Sequence, residues 1–126
     1  MAHKSRLGCI VIDCKTDDLR DALAFWSGAF GYDGAIDSDG KYAKLKSPDG
    51  EVCMLIQAVD HDARVHLDIE TDDKEAERDR LVAMGAREIG PVRNWIVMEA
   101  PTGHRFCVVD RQRSDFDHNA RVWENG

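Results

Sequence analysis

Two short segments of this sequence are closely similar, and at one position the first copy has a valine where the second has a histidine. Residues 11–18 (VIDCKTDD) return as residues 66–73 (HLDIETDD), so that His66 corresponds to Val11. An imidazole can bind a divalent metal or act as a general acid or base, whereas an isopropyl group can do neither. Positions at which two copies of a repeat differ are the first places to look for functional residues. His66 is therefore the first candidate for a functional side chain.

The aspartates Asp13 and Asp68 occupy equivalent positions in the two copies, each where a predicted strand leads into a helix. They could bond backbone amides or an arginine of the other copy, which would make them structural. If both were buried and close together, one would take up a proton and could serve as an acid or base. The sequence leaves these alternatives open.

Three further residues are candidates for the wall of a ligand pocket. Trp95 offers a flat surface for stacking, Arg105 a guanidinium that could hold an anion, and Cys107 a thiol on a predicted strand. Thiols in strands are more often small buried hydrophobic groups than nucleophiles. The four cysteines show no CxxC spacing, so we expect reduced thiols and a cytoplasmic protein.

The elements that position these residues are predicted to follow a βαβββ order, twice. Apolar residues at helical spacing indicate one helix from Leu19 to Phe30, closed by Gly31, and a second that ends at Gly85. We expect Thr16 or Asp17 to cap the first helix, and Asp72 with Glu75 to form a capping box at the second. Alternating apolar residues between turn signals predict strands near residues 9–14, 32–36, 42–46, 52–58, 65–69, 87–92, 95–99 and 104–110.

Alternation along the strands assigns the candidate side chains to faces. In the second copy the apolar set should pack under the helix, and it consists of Val65, Leu67 and Ile69. In the first copy the corresponding set is Ile10, Ile12 and Cys14. The opposite face is then expected to line a cleft between the copies, and it carries Cys9, Val11, Asp13, His66 and Asp68.

Length and composition predict one compact domain. The repeated βαβββ order makes it an α+β domain over residues 1–110, with a module at about 7–60, a module at about 63–110 and a polar C-terminal tail at 111–126. The formal net charge of −7 and the isoelectric point near 5.1 argue against a nucleic-acid partner, because binding to phosphates requires a basic patch. No apolar stretch is long enough to span a membrane. The protein class that these observations leave is a soluble domain that binds a small molecule.

These segments resemble the vicinal oxygen chelate superfamily of glyoxalases, bleomycin-resistance proteins and extradiol dioxygenases, and most of all its glyoxalase-like group. The resemblance rests on five stretches of the printed sequence: VIDC at 11–14, AFW at 24–26 with FGY at 30–32, HLDI at 66–69, LVAMGA at 81–86 and PTGHRFCVV at 101–109. It implies two curled βαβββ modules, each with a helix on its convex face, that together enclose a cleft.

In this superfamily the cleft holds a divalent metal with two ligands from each module. The resemblance places His66 at the position of the second module's histidine ligand. The corresponding position of the first module is occupied by Val11, or by Cys9 if the alignment is shifted. Cys107 lies where a carboxylate ligand is usual. The first-module partner of Cys107 is either Met54 or Gln57. A site of His66 with Cys107, Gln57 or Cys9 would suit Zn²⁺ better than Mg²⁺, and Ni, Mn or Fe are the superfamily's other metals.

Three functions remain open at this point. We expect a glyoxalase-like protein that binds a small organic molecule in the cleft without the full metal site, using Val11, Asp13, His66, Asp68, Trp95, Arg105 and Cys107. The alternative is a metal-dependent lyase, isomerase or dioxygenase, and the third is a structural or regulatory dimerisation module. The resemblance also implies a homodimer, although the cleft could form within one chain or across two.

Overall fold

The computed structural model describes residues 2–124, which form nine strands and three helices in a mixed α+β fold. The predicted βαβββ order is confirmed for both copies, and one short helix and one strand follow. The elements are β1 (Ala2–Lys15), α1 (Arg20–Phe30), β2 (Gly34–Ile36), β3 (Tyr42–Leu45), β4 (Cys53–Val59), β5 (Arg64–Thr71), α2 (Lys74–Ala83), β6 (Arg87–Val92), β7 (Trp95–Glu99), β8 (Arg105–Asp110), α3 (Phe116–Asn119) and β9 (Arg121–Glu124).

The chain divides into two compact units, and the division passes through β1 and β5. One unit is Cys9–His66; the other joins the residues up to Gly8 with those from Leu67 onwards. In the first unit the strand order is β2-β3-β4-β1, with β1 and β4 parallel and the other pairs antiparallel. In the second unit β6-β7-β8-β5 repeats this pattern, with β5 and β8 parallel. The repeated sequence therefore encodes a repeated topology.

Each unit has its own hydrophobic core beside its helix. In the first, buried Leu19, Ala43, Leu45 and Ile56 pack with the partly buried Cys14, Leu23 and Trp26 among others. In the second, the buried cluster is Leu81, Ile96, Met98, Phe106 and Val108, with Ile69 packed against it. These cores fix the strands whose opposite faces carry the candidate site.

The prediction that Val65 and Leu67 pack under a helix is wrong. Val65 is 58% exposed and Leu67 43% exposed, and only Ile69 of that set reaches the core. The reason is the position of α2, which makes its main contacts with β6, β7 and β8 rather than with the start of β5. In the first copy Cys14 does pack with the helix-side cluster.

Neither helix is capped by the residues predicted to cap it. Leu19 is the N-cap residue of α1 and makes no side-chain cap bond, while Asp18 accepts from the Arg20 amide instead. At α2 the cap is Asp73, whose carboxylate accepts from the Ala76 amide at 3.0 Å. The pair of adjacent aspartates made the choice ambiguous, because either can accept from an exposed amide. The left-handed Gly31 closes α1 as predicted, with φ of 73°.

Residues 111–124 are more ordered than a loose polar tail would be. Phe116 on α3 is buried, and β9 pairs antiparallel with the start of β1. The Trp123 indole donates to Ser5 Oγ at 2.9 Å, and the Arg80 guanidinium lies 4.0 Å above its ring. Two residues of the predicted tail, 125 and 126, lie outside the described residues.

Gly34 lies where two core side chains leave no room for a methyl group. A Cβ at this position would lie 2.7 Å from Leu23 Cδ1 and 2.8 Å from Leu45 Cδ2. We expect Gly34→Ala to lower the free energy of unfolding by about 1–3 kcal/mol, as overpacking does. Gly28→Ala is the matched control, because no atom of the described residues lies within 4 Å of a Cβ built at this position, and alanine favours the helix. Urea unfolding measures both; equal stability of the two variants would contradict the tight approach at Gly34.

Candidate functional site

A buried carboxylate surrounded by basic groups lies in the Cys9–His66 unit. Asp13 on β1 is only 2% exposed, and its Oδ2 atom accepts a hydrogen bond from His66 Nδ1 at 2.9 Å. Arg64 Nε lies 3.6 Å and His61 Nε2 3.9 Å from the same oxygen. Three basic side chains from the start of β5 and the loop before it therefore converge on one carboxylate oxygen.

The second carboxylate oxygen of Asp13 is buried and has no hydrogen-bond partner within the described part of the chain. Leaving a buried acceptor unsatisfied costs about 1–3 kcal/mol, so such groups are rare unless another need maintains them. An aspartate retained in this state, beside a histidine, points to a role beyond holding strands together.

The hydrogen bond from His66 to Asp13 sets the chemistry of the imidazole. An ionised carboxylate only accepts hydrogen bonds, so in the neutral ring the proton lies on Nδ1 and the lone pair on Nε2. A histidine held in this way can accept a proton from a ligand or bind a metal through Nε2. The His66 side chain is 13% exposed, so the ring is largely but not completely shielded from solvent.

The thiol next to this pair is kept protonated. Burial raises the pKa of Cys14, and the negative charge of Asp13 raises it further. Since the thiolate is the reactive form, Cys14 is a packing residue and not a nucleophile.

The strand registers decide which residue of the first copy corresponds to Cys107. In the second unit Asp68 is the register partner of Cys107 on β8, and in the first unit Asp13 is the register partner of Gln57 on β4. Because Asp13 and Asp68 are repeat equivalents, Gln57 is the equivalent of Cys107 and Met54 is not. The sequence had left both open.

A set of metal donors lies on one face of the paired strands β5 and β8. His66 and Asp68 are two residues apart on β5, so their side chains leave the same face, and Cys107 is the register partner of Asp68. An imidazole, a carboxylate and a thiol in this arrangement could hold a metal ion. Within the described residues this group does not include Cys9, which is fully buried, with its thiol 3.7 Å from the Ile10 carbonyl oxygen.

The other predicted pocket residues have more ordinary surroundings. Val11 is almost completely buried. Trp95 on β7 is half-buried, with the Arg93 guanidinium 6.0 Å from its ring centroid. Arg105 Nε lies 3.5 Å from Glu99 Oε2 on the neighbouring strand, so its charge is partly compensated. Their part in a ligand site stays a prediction.

Sequence analysis missed Arg64 and His61 as neighbours of Asp13. The signal for Arg64 was present, because alternation places it on the same face of β5 as His66 and Asp68. His61 lies in the loop before the strand, where no periodicity applies.

The comparisons with known proteins agree on the fold. The sequence model of the glyoxalase-like domain family matches residues 9–109. No curated protein matches the sequence significantly.

None of the described helices is long and apolar enough to cross a membrane.

Three solved structures illustrate the structural similarity. A hypothetical protein from Bacillus halodurans has 14% identity and a TM-score of 0.61, covering 87% of this chain and 96% of that one. A chain described as an NAD-dependent benzaldehyde dehydrogenase from Legionella pneumophila has 11% identity and a TM-score of 0.60, covering 82% and 99%. A Mn(II)-bound glyoxalase from Novosphingobium aromaticivorans has 16% identity and a TM-score of 0.59, covering 90% of this chain and 44% of that one.

Proposed function

Because the chain belongs to the glyoxalase-like domain family, we propose that it binds a small organic molecule at a site built on His66 and its buried partner Asp13. The cleft predicted between the two modules is the proposed location, and the family's complete four-ligand metal site is not required. The observation that carries the proposal is the carboxylate of Asp13, which holds the imidazole through Oδ2 and whose other buried oxygen has no hydrogen-bond partner among residues 2–124.

The chemistry of this pair favours a ligand that carries a proton donor. With Nδ1 bonded to Asp13, the Nε2 lone pair is suited to accept a hydrogen bond or a proton from a hydroxyl group. Arg64 beside the carboxylate supplies positive charge that would stabilise negative charge developing on such a ligand. Small phenols and α-hydroxy ketones are therefore the first compounds to test.

A thermal-shift screen of neutral phenols and hydroxy ketones tests this proposal. We expect at least one compound to raise the melting temperature by several degrees, because ligand binding to the native state stabilises it. His66→Ala should abolish the shift, whereas His104→Ala should preserve it, because His104 is exposed and pairs with Thr102. A panel without any shift, or an equal shift in the His66 variant, would reject the proposal.

A second candidate function, a metal-dependent lyase, isomerase or dioxygenase, is favoured by the donor set on β5 and β8. His66, Asp68 and Cys107 combine nitrogen, oxygen and sulfur ligands, which suits Zn²⁺ better than Mn²⁺ or Mg²⁺. Asp13 would then act as the carboxylate that orients a metal-binding histidine. A bound ion would supply Lewis-acid polarisation of a ligand oxygen.

Elemental analysis after zinc-replete expression separates the two candidates. The metal-dependent reading predicts near-stoichiometric zinc that is lost in His66→Ala and in Cys107→Ser. Cys53→Ser is the matched control, since Cys53 is a half-buried thiol outside the donor set. Zinc that is far below stoichiometric, or that survives both substitutions, would reject metal dependence and leave the binding proposal standing.

We further propose a homodimer in the cytoplasm, following the superfamily resemblance and the cysteine pattern. Light scattering coupled to size-exclusion chromatography tests the dimer, and a monomeric mass across micromolar concentrations would contradict it.

A further inference from the structure

A cavity that does not include the residues around His66 lies within the Cys9–His66 unit. It has a volume of about 370 Å³ and lies where the end of α1 approaches β4. The described residues that line it are Phe30, Tyr32, Glu51, Val52 and Met54. Neither the proposed binding site nor the candidate metal site uses any of them.

The cavity is lined by aromatic rings that form part of a larger group on α1. The ring centroids of Phe30 and Tyr32 are 5.8 Å apart with planes inclined at 42°. Trp26 stacks on Phe30 at 5.5 Å, and Phe25 lies edge-on to Trp26 at 4.9 Å. Phe25 is 64% exposed, whereas Trp26 is half-buried and packs against the core of this unit.

The exposed aromatic rings can contact both apolar groups and cations of a ligand. Phe30 lines the cavity, is 40% exposed and is followed by the sharp turn at Gly31. Aromatic faces carry partial negative charge, so inclined rings attract cations as well as apolar groups. The Met54 thioether, which is polarizable, lines the same space.

A carboxylate is fixed beside these rings. The Tyr32 hydroxyl donates to Glu51 Oε2 at 3.0 Å, and this bond raises the pKa of Tyr32, so the phenol stays a donor at neutral pH. Among the five described lining residues, Glu51 is the one with an acidic side chain. The carboxylate disfavours anionic ligands, and the chain's net charge of −7 adds to the attraction of cations.

We propose that this cavity binds a small organic cation with apolar substituents, such as a quaternary ammonium compound or a protonated aromatic amine. The rings of Phe30 and Tyr32 contact the apolar groups and the positive charge, while Glu51 neutralises that charge. The volume accommodates a compound with a single aromatic ring and a substituted ammonium group. A neutral ligand would lose the contribution of Glu51, and an anion would be repelled.

Titration of the intact chain with benzyltrimethylammonium, followed by amide NMR, tests the proposal. We expect saturable shifts at the amides of residues 30–32 and 51–54. Glu51→Gln and Phe30→Leu should each weaken binding by about two- to fivefold, the effect of losing one exposed cation–π or charge contact. Benzyl alcohol, which has the ring without the charge, should bind more weakly by at least the same factor.

Two control variants make the result specific. Asp49→Asn removes the same charge from an exposed turn residue that does not line the cavity, and Phe25→Leu removes an exposed ring outside it. Both should bind the cation as the unmodified chain does, and so should His66→Ala, which keeps this test independent of the proposed function. Equal losses in Glu51→Gln and Asp49→Asn, equal binding of benzyl alcohol, or no saturable shifts would overturn the proposal. Shifts that depend on protein concentration alone would assign the cavity to a second copy of the chain and overturn it as well.

Discussion

Replacing Glu70 by alanine should lower the free energy of unfolding by about 3–5 kcal/mol, the cost of breaking a buried ion pair. Glu70 on β5 is completely buried, and Arg6 Nε and Arg113 Nε each lie 3.0 Å from Oε2. Its other oxygen accepts from the backbone amides of Gln112 at 2.8 Å and Arg113 at 3.2 Å. The substitution would leave two guanidinium groups without their buried partner. Urea unfolding followed by circular dichroism measures the loss.

Glu99→Ala is the matched control, because Glu99 also pairs with two arginines but its side chain is 25% exposed. We expect a much smaller loss there, since water screens exposed ion pairs. A loss in Glu70→Ala no larger than in Glu99→Ala would show that the buried network does not stabilise the fold.

The same carboxylate predicts how stability depends on pH. Burial alone would raise the pKa of Glu70, but the hydrogen bonds from the Gln112 amide and from Arg113 outweigh it, and the net pKa is lowered. A lowered folded-state pKa gives stability that is fully present above the unfolded value, which is about 4.3 for glutamate, and is lost as pH falls through the folded value. Glu70→Gln should therefore flatten the loss of stability between neutral and acidic pH. An unchanged slope would contradict this assignment.

Replacing Asp13 by asparagine should disturb His66 without removing it. The amide keeps one oxygen but loses the charge that fixes the imidazole proton on Nδ1. Loss of a carboxylate partner typically reduces metal affinity or activity by about 10- to 100-fold, and we expect a reduction of that order in whichever ligand His66 binds. The ¹⁵N shifts of the imidazole report the tautomer directly, before any ligand is known.

Asp110→Asn is the control for that experiment, because Asp110 is exposed and pairs with Lys74 at 3.1 Å. It should leave the His66 spectrum unchanged. If Asp13→Asn also leaves the tautomer and the affinity unchanged, Asp13 does not position His66 and the proposed site loses its central argument.

Secondary structure was predicted best where turn residues enclose short strands. The bounds of β6 and β7 agree with the sequence prediction because the intervening Arg93 and Asn94 form a tight turn, with Arg93 at a φ of 54°. The beginning of β1 was missed, because the segment before Cys9 is rich in polar and charged residues. Its partner β9 lies within residues 111–126, which were predicted to be a polar tail. Neither strand shows apolar alternation, so only the tertiary pairing identifies them.

The candidate site was only partly predictable, for a different reason. Alternation identified the shared face of His66 and Asp68, because it depends on one strand alone. The bond from His66 to Asp13 depends on where two distant strands lie relative to each other, and a sequence does not contain that register. The choice of Gln57 over Met54 required the β1–β4 pairing for the same reason. The unsatisfied oxygen of Asp13 could be recognised only from coordinates.

The pairing of β1 with β9 also bears on how the chain can be engineered. Ala2 and Glu124 are register partners in this antiparallel pair, so the two ends of the described chain lie side by side. Partners in such a pair have Cα atoms about 4.5–5.5 Å apart, so a few residues of glycine and serine would bridge them. New termini could then be opened at the exposed Pro48-Asp49-Gly50 turn. The sequence is therefore a good candidate for circular permutation, which would keep both βαβββ orders in space while changing their order along the chain.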